Sequence, residues 1–295
     1  MNDILYCCRM RDESGAFEAA AELLNALEVD FSTWENREEK WTVHTVYAET
    51  PEAGQANLEL LRNAVAQWRD CGIELGEPEY FELHKEEWAD AWKKYFPVLQ
   101  LSERLVIKPG WLDYDPTPGQ VVVEIDPGMS FGTGQHATTN FCLRMIDRYA
   151  GTPGVSSLLD AGCGSGILAI AAVKLGYTPV DAFDYDPEAV RMAAENFRLN
   201  AIAPEILTPT ADDAAVYRGR EGGYDFVAAN ILGHLLSAYR LNIASWVRPG
   251  GFLALAGILN EEFDALSAQF VQLGFREIER DTCREWTGGL FQKEL

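Results

Sequence analysis

Residues 157–176 read SLLDAGCGSGILAIAAVKLG, and this stretch decides the fold. SLLD has the length and apolar content of a buried strand, and ILAIAAVKL continues as an apolar helix. Three glycines, Gly162, Gly164 and Gly166, fill the bend between them. In open α/β sheets ligands bind at such a bend, beyond the carboxyl ends of the strands. The spacing is G-x-G-x-G, whereas a dinucleotide site wants its third glycine where this chain has Ile167. That offset argues against NAD. With no pyrophosphate to hold, the glycines let the backbone lie close against a bulkier ligand.

The next strand, PVDAFDYD (179–186), carries Asp184 about twenty residues beyond the loop, where an acid accepts hydrogen bonds from both hydroxyls of a ribose. Ribose recognition without a diphosphate points to a nucleoside cofactor. Asp186 and Pro187 read more simply as the cap and first residue of the following helix. Further on, YDFVAAN (224–230) is a strand that places Asn230 at its carboxyl end. The amide oxygen of Asn230 can accept a hydrogen bond from an incoming amine, and its NH2 can hold a carbonyl. A cap for a helix over 232–247 is the alternative use of the same residue. The sequence continues Ile231-Leu232-Gly233, without the aromatic that would wall in a flipped base. In TADDAA, Asp212 and Asp213 read as solvated loop carboxylates; the glycine bend and DYDPEA resemble motifs I and II of class I S-adenosylmethionine-dependent methyltransferases, and that resemblance implies the other use of this pair, an acid facing the adenine.

From residue 156 onward strands and helices alternate, which predicts an α/β domain with a doubly wound, Rossmann-like, mainly parallel sheet. Two final strands around FREIERD and EWTGGLFQ have no helix between them, so a hairpin should give the sheet an antiparallel edge. The N-terminal region has a different grammar. Strands at 4–10, 31–35, 41–49 and 73–84, with helices at 14–28 and 51–72, give β-α-β-β-α-β, the α+β ferredoxin-like order. A charged helix over 85–98 follows, with Trp88, Trp92, Tyr95 and Phe96 at helical spacing, and reads as a connector. The expected domains are therefore 1–84, a linker over 85–100, and 101–295. Two more strands, RLVIKPGW and QVVVEI, are separated by the turn DPTPGQ.

Between these and the glycine loop lies DPGMSFGTGQHATTNF (126–141). Gly128, Gly132 and Gly134 permit close backbone approach, Phe131 supplies an apolar wall, and Thr139 brings a hydroxyl to the start of a helix. The segment reads as a lid over the other side of the cofactor site. His136 is equally suited to accepting a proton and to serving as a hydrogen-bonding strut.

The chain holds 46 acidic against 24 basic side chains, a formal net charge of −22. Such a field repels nucleic-acid backbones and anionic membranes, and leaves a basic protein partner or mere solubility as its use. Six cysteines show no C-x-x-C spacing and mostly lie in apolar runs, as reduced thiols do, and no metal set emerges. MNDILYCCRMRDESG lacks the order of a signal peptide, and no apolar run reaches the ~18 residues of a membrane span. A soluble, cytoplasmic protein is expected.

Taken together, DPGMSFGTGQHATT, LLDAGCGSGILAIAAVKLG, DYDPEAV, VAANIL, PGGFLALAGIL and WADAWKKYF…RLVIKPGW resemble the ribosomal protein L11 methyltransferase family, within the class I S-adenosylmethionine-dependent methyltransferases. The resemblance implies methyl transfer from S-adenosylmethionine to lysine ε-amino and α-amino groups of ribosomal protein L11. It also implies an N-terminal domain that recognises this substrate, a linker that lets that domain move, and cofactor contacts at Thr139, Gly162, Asp184 and Asn230. The glycine bend and the lid add Gly164 and Phe131, and catalysis is expected at Asn230 and His136. The family writes its opening motif F-G-T-G-T-H-P-T-T, whereas here Gln135 and Ala137 flank His136; Gly233 and His234 depart from it after N-I-L. Other readings are a methyltransferase of a different basic protein and a non-catalytic ribosome-binding module.

Overall fold

The computed structural model describes residues 4–12, 20, 23–24, 27, 29–36, 41–70, 75–84, 96–126, 136–207 and 209–295. The chain forms two compact units, Met1–Tyr95 and Phe96–Leu295. The connector helix read over 85–98 lies outside the described residues up to position 95, as does most of the helix read over 14–28.

In the first unit, strands β1 (Ile4–Asp12), β2 (Phe31–Asn36), β3 (Trp41–Ala48) and β4 (Glu79–His84) form one sheet in the order β2-β3-β1-β4. Every neighbouring pair is antiparallel, the ferredoxin-like arrangement. Helix α1 (Pro51–Asp70) opens with proline at its first position, and Thr50 Oγ1 accepts from Ala53 N at 3.2 Å. Its apolar stripe, Leu58, Leu61, Val65 and Trp68, packs on Cys8, Met10 and Val46 of the sheet. The fourth strand starts later than expected. Leu75 makes only an isolated bridge to Asp12, and Pro78, which has no N–H for a ladder, precedes the strand.

The second unit holds a seven-stranded sheet: β8 (Leu158–Ala161), β9 (Val180–Asp184), β10 (Thr210–Ala211), β11 (Tyr224–Asn230), β12 (Val247–Leu259), β13 (Phe275–Cys283) and β14 (Trp286–Lys293). Their order is β10-β9-β8-β11-β12-β14-β13. β8 to β12 run parallel, and β14 is antiparallel to both β12 and β13. The final hairpin thus makes the expected edge, with its antiparallel strand one place in from the rim. Alternate residues of β8 and β11 serve opposite faces. Leu158, Phe226 and Ala228 join one core, while Leu159, Val227 and Ala229 join the other. Burial on both sides explains why these strands carry adjacent apolar residues, Leu158-Leu159 and Phe226 to Ala229, instead of alternating ones.

Helices α2 (Ala137–Tyr149) and α3 (Ile167–Lys174) supply the first core; α6 (Arg240–Trp246) and α7 (Asn260–Gln272) supply the second. α4 (Pro187–Leu199) begins on Asp186, whose carboxylate accepts from Glu188 N at 2.9 Å, as the sequence suggested. The helix read over 232–247 is two, α5 (Gly233–Ala238) and α6, meeting at Tyr239. Of the run PEILTPT (204–210) only Thr210 joins the sheet, in the two-residue β10.

At the end of the sheet away from the glycine loop, Asp225 joins β8, β11 and β12. Its Oδ2 accepts from the backbone and hydroxyl of both Ser156 and Ser157, and Arg248 Nε donates to Oδ1. Burial works to raise this carboxyl, but Arg248 and the serine donors hold it well below the usual carboxylate range.

A third, small sheet contains β5 (Leu99–Gln100), β6 (Leu105–Pro109) and β7 (Val121–Ile125). β6 and β7 are the two strands around DPTPGQ, and they pair in parallel, so the turn belongs to a crossover. Asn200, the residue that closes α4, holds β7 in place. Asn200 accepts from Glu124 N at 2.9 Å and donates to Glu124 O at 2.6 Å, copying a strand's pairing with a side-chain amide.

Candidate functional site

The site forms where β8, β9 and β11 end. Gly162, Gly164 and Gly166 all take positive φ, of 75°, 52° and 78°. A Cβ on Gly162 would overlap the Ile231 side chain, and one on Gly166 would lie 2.6 Å from Phe197 Cε1. Conformation and space therefore both demand glycine at these two positions. Asp160, fully buried at the end of β8, accepts from Ala169 N at 3.0 Å and so satisfies one of the open donors of the first turn of α3. Burial pushes its carboxyl up to about 7; the bond from Ala169 opposes the rise and nearby Asp184 adds to it.

Asp184 stands where β9 ends. Gly164 N donates to its Oδ2 at 2.9 Å and Asp186 N to its Oδ1 at 3.0 Å. Each oxygen spends one acceptor position on the backbone, and a carboxylate has about four. Asp184 therefore keeps acceptor capacity while its orientation is fixed. It lines a cavity of about 390 Å³ with Gly162, Tyr185, Ile231, Leu235 and Trp246 among the walls. Of the two loop acids, Asp213 lines this cavity, although its Oδ1 accepts from Ala215 N at 2.7 Å.

A second cavity, of about 290 Å³, is lined by Asn230, His136, Thr138, Leu232, Gly257 and Trp286, and it shares Ile231 with the first. Asn230 Nδ2 donates to Thr139 Oγ1 at 3.2 Å. Asn230 Oδ1 is buried and has no hydrogen-bond partner among the described residues. The following helix is capped at Leu232, so capping does not account for Asn230. Leaving a buried acceptor unmet costs about 1–3 kcal/mol, which marks this atom as one awaiting a ligand.

His136 lies at the N-cap position of α2 and does not use its side chain as a cap. Its Nδ1 shares a 2.7 Å hydrogen bond with Thr138 Oγ1, and its ring meets that of Trp286 edge-on, centroids 5.3 Å apart. Burial lowers the imidazole's pKa and Glu285 works against that shift. The half-buried imidazole lines Asn230's cavity. Among the sequence-selected residues, Gly162 and Asp184 line the first cavity, and Asn230 and His136 the second. Thr139 sits behind Asn230 and lines neither, Gly164 acts through Asp184, and Phe131 lies outside the described residues.

Sequence reasoning missed the apolar walls Tyr185, Ile231, Leu235 and Trp246, although Tyr185 and Ile231 directly follow residues it had selected. It also missed Asn196, which donates to Ser165 O at 2.9 Å and accepts from Asp126 N at 3.1 Å. This one side chain ties the glycine loop to the last described residue of the segment leading to His136. A polar residue at the i−4 position from Asn200 on an otherwise core-facing stripe was the available signal.

A parallel sheet in this order, a glycine bend after its first strand, and an oriented acid after its second define a class I S-adenosylmethionine-dependent methyltransferase. Residues 8–294 match the ribosomal protein L11 methyltransferase family (PrmA), and the chain belongs to that family. It is 41% identical over 215 residues to a ribosomal protein L11 methyltransferase of Geobacter metallireducens, covering 73% of this chain and 69% of the relative. The corresponding protein of Chloroflexus aurantiacus is 39% identical over 237 residues, covering 72% and 70%. A crystal structure of the ribosomal protein L11 methylase of Lactobacillus delbrueckii subsp. bulgaricus superposes with a TM-score of 0.61 at 29% identity, covering 68% of this chain and all of that one. No helix among the described residues is long and apolar enough to cross a membrane.

Proposed function

We propose that this protein transfers methyl groups from S-adenosylmethionine to lysine ε-amino and N-terminal α-amino groups of ribosomal protein L11 in the cytoplasm. The observation that carries the reading is the buried, unmet Oδ1 of Asn230, a residue lining a cavity that shares Ile231 with the cavity of Asp184. The residues present fit the cofactor. Asp184 has spare acceptor positions for a ribose diol, Gly162 leaves the space a Cβ would fill, and the walls around them are apolar enough for an adenine. When bound, S-adenosylmethionine supplies a methyl group activated by a sulfonium.

The chain's own residues position the acceptor. Asn230 Oδ1 accepts an N–H from the incoming amine, which turns the nitrogen lone pair away from the amide. Thr139 holds that amide by its Nδ2. An α-amine titrates near ~8 and a lysine near ~10.4, so a proton must leave before transfer. The small, largely apolar cavity disfavours the ammonium form, and His136 takes the proton. No covalent intermediate is required, because orientation supplies the main acceleration.

The first 84 residues serve as the substrate-recognition domain, residues 85–100 as a linker and 101–295 as the catalytic domain. A net charge of −22 favours a basic protein over nucleic acid as partner. Mass spectrometry of purified ribosomal protein L11 after incubation with this chain and S-adenosylmethionine tests the proposal. Mass increments in steps of one methyl are expected on amino groups. An unmodified substrate, with another protein of a cell extract modified instead, would overturn it.

A further inference from the structure

The catalytic domain contains a third and larger cavity, a groove of about 660 Å³ between the N-terminal turn of α2 and the turn joining β13 to β14. It shares His136, Thr138 and Trp286 with the cavity of Asn230, and it shares no lining residue with the cavity of Asp184. Shared walls place the three spaces side by side: Ile231 lines both the Asp184 and the Asn230 cavities, and His136, Thr138 and Trp286 line both the Asn230 cavity and the groove.

We infer that the groove is the route by which the acceptor's lysine side chain reaches Asn230, and that Trp286, with the ring of His136, is the collar that selects for it. The inference rests on the amino-methyltransferase reading above and adds the route and the selecting residue. An in-line displacement needs donor and acceptor brought in from different directions, and the groove shares walls with the Asn230 cavity and none with the cavity of Asp184. The edge-on pair of rings, 5.3 Å between centroids, presents an apolar rim to a methylene stem. Outside it the chemistry changes. Glu285, exposed beside the collar, offers a carboxylate to an arriving ammonium, while Asp281 is already paired with Arg144. An extended basic side chain matches both parts, a charged head drawn to the mouth and an aliphatic stem lying against Trp286.

The test measures affinities by calorimetry on the full chain. Its probes are S-adenosylhomocysteine and a bisubstrate compound, an adenosine whose 5′ nitrogen carries both the cofactor's amino-acid arm and the side chain of a capped lysine. Wild type is expected to bind the bisubstrate at least about tenfold more tightly than S-adenosylhomocysteine. Trp286→Leu, and Cys283→Trp, which fills the groove from its exposed wall, should each remove most of that advantage. Both should leave S-adenosylhomocysteine affinity within about twofold of wild type. Trp286→Phe should keep the larger part of the advantage. The inference is overturned if the lysine arm gives no advantage in wild type, if both variants retain it in full, or if Trp286→Leu weakens both ligands alike. Methylation of ribosomal protein L11 is measured in parallel. Absence of transfer together with an intact lysine-arm advantage would refute that substrate and leave the collar standing.

Discussion

Asn230 and Thr139, 91 residues apart in sequence, meet side chain to side chain at 3.2 Å, with the amide nitrogen donating to the hydroxyl. The contact decides which way the amide faces, because with Nδ2 engaged Oδ1 is the atom left for a ligand. Thr139→Val keeps the shape and removes the acceptor, so the amide loses its fixed orientation. Thr139→Val should weaken S-adenosylhomocysteine binding by about threefold to tenfold, the worth of roughly one hydrogen bond. His136→Ala should weaken it by less. Equal or reversed losses in a titration would show that Thr139 does not order the cofactor side of the site.

Asn230→Ala removes the acceptor for the amine outright. Because the amine gains positive charge during transfer, the lost bond is of the charge-assisted kind, about 1.5–3 kcal/mol. The rate of transfer should fall by roughly 10- to 100-fold. Cofactor affinity should fall less, so single-turnover rates at saturating cofactor separate the two effects. A variant with full turnover at saturation would remove Asn230 from the chemistry.

Gly162 illustrates how much of the site was legible in the sequence. The three glycines after a buried strand, and Asp184 about one helix later, identify the bend and its acid because each property is local: a backbone conformation, a chain reversal, a carboxylate at a strand end. The partner that makes glycine obligatory at 162 is Ile231, 69 residues away, and no local pattern reveals it. The same limit hid Trp286 and Asn196, whose roles arise only where a hairpin turn reaches α2 and where α4 crosses beneath the glycine loop. The pairing of β6 with β7 was obscured for another reason. A crossover of eleven residues with two prolines and two glycines looks like a turn, since parallel strands ordinarily need a dozen or more residues between them.

Gly162→Ala should therefore act on binding and stability together. The added Cβ meets Ile231 and the residue must hold a φ of 75°, costs of about 1–3 kcal/mol. Denaturant midpoints should fall and S-adenosylhomocysteine binding should be lost or weakened by more than about tenfold. Pairing it with Ile231→Ala relieves the overlap, leaving the strained φ, and should recover part of the affinity. No recovery in the double variant would place the defect elsewhere.

Asp160 makes a prediction in pH. Its carboxyl is near 7 in the folded protein against 3.8 as its ordinary value, chiefly through burial. An acid raised on folding contributes stability below its unfolded pKa and loses it as pH climbs through the folded value. From pH 6 to pH 8 the loss is about 1.4 kcal/mol for one such group. Asp160→Asn keeps an acceptor for Ala169 N and does not titrate, so the catalytic domain of this variant should lose less stability over that interval. Tm measured without cofactor should fall roughly 3–5 °C further in wild type than in the variant between these pH values. Parallel curves would mean that Asp160 ionises normally.

Asn196 of α4 and Asn200 at its C-cap separate stability from cofactor order. Asn200 bonds Glu124 by both its oxygen and its nitrogen and also donates to Asn196 O, so its contacts serve β7 and its own helix. Asn196 instead joins Ser165 in the glycine loop to Asp126. Either residue replaced by alanine leaves buried backbone groups unmet, and each variant should lose about 1–3 kcal/mol in chemical denaturation. Only Asn196→Ala frees the carbonyl next to Gly164 and Gly166, and with it the loop whose Gly164 N–H orients Asp184. Calorimetry should therefore show weaker S-adenosylhomocysteine binding for Asn196→Ala, by about fivefold or more, and near wild-type binding for Asn200→Ala. If both variants bind alike, the glycine loop holds its shape without α4, and Asp160 with the backbone of Phe183 suffices to keep it in place.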